Sequence, residues 1–73
     1  MSPAQFALLN LVASEGRALN IYDCVAILGK RQNAVSTVRN YCLMKGWLEP
    51  WVDYHDPIRI SDAGRAKLRE PRR

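Results

Sequence analysis

Glycines at positions 16, 29 and 46 close three successive segments, and each of these carries apolar residues at helical spacing. The chain is therefore expected to fold as short helices that must bury their faces against one another. Ser2-Pro3-Ala4-Gln5 reads as a helix start: Ser2 caps, Pro3 fits the first helical position, and Gln5 completes a capping box. Phe6, Leu8, Leu9, Leu11, Val12 and Ala13 follow and cover more than one stripe, so this helix is either central to the core or partly exposed for a partner. Gly16 ends it near Ser14 or Glu15. After a short extended link, Arg17-Ala18-Leu19, Asn20 caps a second helix, with Asp23 in favourable register with its dipole. Ile21, Cys24, Val25 and Leu28 give this helix one apolar face over about nine residues, and Gly29 stops it. A third helix starts near Arg31 or Gln32 and ends at Gly46, with Lys45 suiting its negative end. At about 100° per residue, Val35, Val38 and Cys42 form its buried stripe. Asn33, Ser36, Thr37 and Asn40 fall opposite, with Arg39 and Gln32 at one margin of the stripe.

The pattern then changes. Trp47 to Val52 is aromatic and branched, with Pro50 marking a strand edge or end. Asp53-Tyr54-His55-Asp56-Pro57 is turn chemistry, and Ile58-Arg59-Ile60 alternates as a half-buried strand does. Together these segments predict a β-hairpin. In it Trp47 packs into the core, while Trp51 and Tyr54 either form an exposed aromatic patch beside Asp53 and Asp56 or pack the wing onto the last helix. Ser61 caps a last helix, Asp62 to Arg69, with Ala63, Ala66 and Leu68 inward, and Pro71-Arg72-Arg73 is a tail.

Composition narrows the function classes. Hydrophobic residues make up 48 % of 73 residues, enough for a small core, and no apolar run approaches the roughly 18 residues that span a bilayer. The start lacks a basic segment and a cleavage motif, so a cytoplasmic protein is expected. Cys24, Cys42 and the single His55 have no zinc-type spacing. Both cysteines read as reduced core residues, and neither metal nor cofactor is expected. His55 beside Asp53 and Asp56 has no nucleophile or oxyanion site near it in sequence, so an enzyme is not expected. Net charge is +4 with a pI near 9.5, which suits a polyanion. Residues 30 to 48 hold Lys30, Arg31, Arg39 and Lys45 with no acid, and residues 65 to 73 hold five basic residues against Glu70 alone.

A short helix, a turn at Gly29 and a second helix make a helix-turn-helix, and the hairpin after it makes a wing. The expected fold is thus α+β, mainly α. It is a single winged helix-turn-helix domain, with the helix-turn-helix over 20–45, the wing over 47–60 and a C-terminal helix over 61–69.

Leu28-Gly29, fifteen residues, then Lys45-Gly46-Trp47-Leu48 resembles the turn-to-wing segment of MarR-type regulators, and so does Ile60-Ser61-Asp62-Ala63-Gly64-Arg65-Ala66. The resemblance covers about residues 18–68 and implies a regulator of transcription from a prokaryote or its virus that binds double-stranded DNA. It puts Gln32, Asn33, Ser36, Thr37 and Asn40 against base edges, where amides pair with adenine and hydroxyls donate or accept. Lys30, Arg31, Arg39 and the wing residue Arg59 would contact phosphates. A homodimer through the first helix would supply the second half-site. Three features depart from the pattern. The wing turn is acidic, Arg31 stands where such proteins often have a Ser or Thr cap, and the long terminal helices through which they dimerise are not among these 73 residues. The departures leave an alternative: a protein-binding module, an adaptor or a small viral inhibitor, docking through Trp51, Tyr54, Asp53 and Asp56.

Overall fold

The computed structural model describes residues 1–15, 17–51, 53 and 55–70. Four helices occur in the order α1 (Pro3–Ser14), α2 (Ile21–Leu28), α3 (Gln32–Met44) and α4 (Asp62–Arg69). Local chemistry explains most of their ends. Ser2 Oγ accepts from the Gln5 amide while Gln5 Oε1 accepts from the Ser2 amide, a reciprocal capping box. Asn20 and Asp23 form the same box at α2, which spans eight residues. Gly29 closes α2 at φ 66°, a left-handed conformation that a side chain would strain. Gly16, the expected stop of α1, lies outside the described residues, as do Val52, Tyr54 and the 71–73 tail.

α1 packs against each of the other three helices, and α2 packs against α3. That central position explains why the sequence of α1 contains no charged residue. Leu8 and Leu9 are fully buried, and Leu11, Val12 and Ala13 pack at the edge of the same core. Leu19, Ile21, Cys24, Val35, Cys42, Leu48, Ile58 and Ile60 complete it. Both cysteines are free and buried, and burial pushes each thiol up to about 11, so neither is a reactive nucleophile.

The hairpin is sparser than the alternation predicts. Among the described residues it consists of antiparallel pairs, Leu48 with Ile60 and Leu19 with Ile58, not continuous strands. The 58–60 segment sits in the middle. The Glu49 amide donates to the Arg59 carbonyl at 2.8 Å, and the Ile58 amide donates to the Leu19 carbonyl at 2.6 Å. Among the described residues no pairing follows Glu49 on this segment, and Pro50 has no amide to offer. The 17–19 link, read as simply extended, thus becomes the third piece of a minimal sheet.

The start of α4 is built around one carbonyl. The Ser61 amide donates to the Trp47 carbonyl at 3.0 Å, and the Ser61 hydroxyl donates to the Gly46 carbonyl while accepting from the Gly64 amide. Gly64 is buried with the Trp47 carbonyl directly against it, leaving no room for a Cβ. This corrects the inward face expected for α4: Gly64 and the half-buried Leu68 face the core, while Ala63 and Ala66 are exposed. Inward packing here selects the absence of a side chain. Gly64→Ala should therefore destabilise the fold by about 1–3 kcal/mol, the usual range for overpacking. Urea denaturation would show it as a lower midpoint, and an unchanged midpoint would contradict the tight approach.

Candidate nucleic-acid interface

The outer face of α3 is the region that the sequence singles out. Asn33, Thr37 and Asn40 are exposed along one side of the helix, Gln32 is exposed at its start, and Ser36 is half-buried at the margin. The side-chain amides of Gln32, Asn33 and Asn40 make no hydrogen bond within the chain among the described residues. Thr37 differs, because its hydroxyl donates to the Asn33 carbonyl at 2.9 Å and keeps only acceptor capacity for a ligand. Met44, which the sequence reading passed over, continues this row at 74 % exposure. Its signal was positional, since it lies four residues beyond Asn40 and eleven beyond Asn33.

Lys30 and Arg31 stand exposed just before α3. α1, α2 and α4 are capped by Ser2, Asn20 and Ser61, but Arg31 makes no side-chain cap bond to α3. The first-turn amides of α3 thus face outward without an internal acceptor from their N-cap, beside two cations.

Arg39 is a correction. Assigned by sequence to phosphate contact, it is buried at 2 % exposure. Its guanidinium lies 3.9 Å from the centroid of the Trp51 ring, a close cation–π arrangement. Its charge also reaches Cys24, where burial, reinforced by Asp23, raises the thiol pKa and Arg39 partly opposes the rise. A residue at the edge of an apolar stripe can turn either way, and Trp51 turns this one inward.

The wing residues named for protein docking are likewise engaged. Trp51 is half-buried over Arg39, and Tyr54 lies outside the described residues. Asp53 Oδ1 accepts from the His55 amide at 2.9 Å, and Asp56 Oδ2 accepts from the Asp53 amide at 3.0 Å. Both carboxylates therefore close the turn that contains them. The His55 ring rests 5.7 Å from Tyr22 of α2, so the turn lies beside the helix-turn-helix. Trp47 is half-buried, edge-on to Tyr41 at 6.1 Å, with Lys67 over its ring at 5.5 Å. Arg59 is exposed, and its side chain lies in a groove with Arg17 and Arg65. No described helix is long and apolar enough to cross a membrane.

Comparison with family models and with curated proteins gives no match. Among solved structures, a mutant of MepR from S. aureus superposes with a TM-score of 0.80 over 93 % of this chain, at 19 % identity. The chain spans about half of that protein, 53 % of its length. The fold is thus a winged helix like that of this MarR-family regulator, as the sequence resemblance implied.

The missing cap yields a direct test. Arg31→Ser should cap α3 and raise stability by about 1 kcal/mol. A melting temperature no higher than wild type would show that the α3 terminus is already satisfied.

Proposed function

We propose that the chain is a DNA-binding winged-helix regulator that reads duplex DNA with α3. One observation carries this reading: the outer face of α3 presents the amides of Gln32, Asn33 and Asn40 with no partner inside the chain among the described residues. An inert surface helix is expected to carry strong helix formers such as Glu and Lys, whereas these positions hold weaker formers suited to base edges. In this reading Gln32, Asn33, Ser36, Thr37 and Asn40 meet base edges, and the exposed Met44 suits apolar contact with a thymine methyl. Lys30 and Arg31 take phosphates at the uncapped start of α3, and the absence of any acid from residue 24 to 48 leaves that face unopposed. Arg39 drops out of the phosphate set because it lies under Trp51.

In the acidic wing Asp53 and Asp56 each accept a backbone amide of their own turn, which gives them a structural role there. The same bonds, with Trp51 over Arg39, remove support from the protein-docking alternative.

One module buries only about 600–1,000 Å² on DNA, so useful affinity calls for a two-fold arrangement. The charge-free α1 supports self-association. With α2 and α3 it borders an apolar cleft of about 270 Å³ that includes Ala4, Ala7, Leu28 and Val38 and is also lined by Lys30. The small Ala4 and Ala7 let a second helix approach closely. If this cleft joins two copies, sedimentation should show Ala7→Glu as a monomer at concentrations where the wild type dimerises. Equal sedimentation of the two would remove α1 from the interface.

The reading of bases is tested on a duplex selected from a random pool. Asn33→Ala with Asn40→Ala should lower affinity by about 1–3 kcal/mol for each lost contact, with non-specific binding unchanged. Undiminished affinity of a folded double variant would refute base reading by α3.

A further inference from the structure

Arg17, Arg59 and Arg65 line one open groove of about 330 Å³ together with Glu49, and no α3 residue lines it. They come from three places: the link after α1, the middle segment of the hairpin, and α4. All three arginines are exposed. Arg59 and Arg65 have no ion-pair or hydrogen-bond partner for their side chains among the described residues. Arg17 has only the loose, exposed contact to Glu15 at 3.8 Å, which holds it weakly. Glu49 faces the same groove without being paired to any of them. Val12 and Pro57 supply an apolar wall.

We propose that this groove binds a phosphate ester, with the guanidinium groups on the phosphoryl oxygens and Glu49 accepting from a hydroxyl of the esterified sugar. The three arginines outnumber Glu49 and the Glu15 carboxylate that lies 3.8 Å from Arg17, so the groove is net positive. A phosphate monoester, with about two negative charges at neutral pH, is attracted to it. Guanidinium is the side chain best shaped for bidentate contact with phosphoryl oxygens. Glu49 repels a phosphoryl group and attracts a donor, which sets the ligand's direction and distinguishes a sugar phosphate from a bare anion. The volume suits a small ligand, near the lower end of the roughly 300–1,000 Å³ usual for such sites. A ligand here would tie the end of α1, the hairpin and α4 together. The proposal stands whether or not α3 reads DNA, because no α3 residue lines the groove.

The guanidinium–phosphoryl contact alone is open to two sources, a free sugar phosphate and the DNA backbone, but only the sugar phosphate carries a dianionic phosphoryl group and a free hydroxyl for Glu49. The experiment is a ¹H–¹⁵N NMR titration of the full chain with ribose 5-phosphate at physiological salt, with inorganic sulfate as control. Saturable shifts should centre on Ala18, Glu49, Arg59 and Arg65. Arg59→Gln with Arg65→Gln should weaken binding by about tenfold or more, as expected for charge-assisted hydrogen bonds. Glu49→Gln should weaken ribose 5-phosphate while strengthening inorganic phosphate. These surface changes leave the core intact, and circular dichroism confirms folding. If ribose 5-phosphate does not bind, but the double Arg variant weakens duplex binding and Glu49→Gln tightens it, the groove meets the DNA backbone and the sugar-phosphate proposal is overturned. The proposal is overturned if sulfate and ribose 5-phosphate give the same shifts spread over Lys30, Arg31 and Arg69. It is equally overturned if the groove variants alter neither ligand.

Discussion

The buried guanidinium of Arg39 under Trp51 sets the orientation of everything that matters on α3. A helix has one rotational degree of freedom about its axis. Once Arg39 turns inward beside Val35 and Cys42, the opposite side must carry Asn33, Thr37 and Asn40. The stack also joins three elements, since Trp51 belongs to the wing, Arg39 to α3, and Cys24 on α2 feels the charge. A cation taken from the surface thus becomes a positioning device. The cost is a basic face reduced to Lys30, Arg31 and Lys45 around the helix.

The second junction is the Trp47 carbonyl. Ser61 and Gly64, the residues through which the sequence resembles MarR-type regulators, have a shared physical task there: one donates to that carbonyl and the other makes room for it. The Ser61 hydroxyl links the end of the α3 turn to the first turn of α4. The motif is a structural joint between α3, the wing and α4. A joint of this kind serves the fold and leaves function to the surface.

What was legible in the sequence was local. Ser2, Asn20 and Ser61 cap helices by bonding backbone three residues away, and Gly29 ends one by its own φ, so a short window suffices. What was not legible depended on partners distant in sequence. Arg39 sits at a stripe margin and is settled by Trp51, twelve residues on. The inward face of α4 is marked by a glycine, which an apolar pattern cannot register. Among the described residues the alternation from Trp47 onward gives only the isolated Leu48–Ile60 pair, and Pro50 has no amide to extend it. The acidic turn reads as charge alone in the sequence, yet one oxygen of each carboxylate accepts a backbone amide within the turn.

The central claim is that the α3 face meets duplex DNA with Lys30 and Arg31 on its phosphates. Fluorescence anisotropy against a mixed duplex pool, at about 50 and 200 mM salt, tests it most directly. The account predicts saturable binding that weakens steeply with salt, as cations displace condensed counterions, and a shallower slope for Lys30→Ala with Arg31→Ala. No binding at the lower salt by a folded chain, or binding indifferent to salt and to both cations, would contradict it.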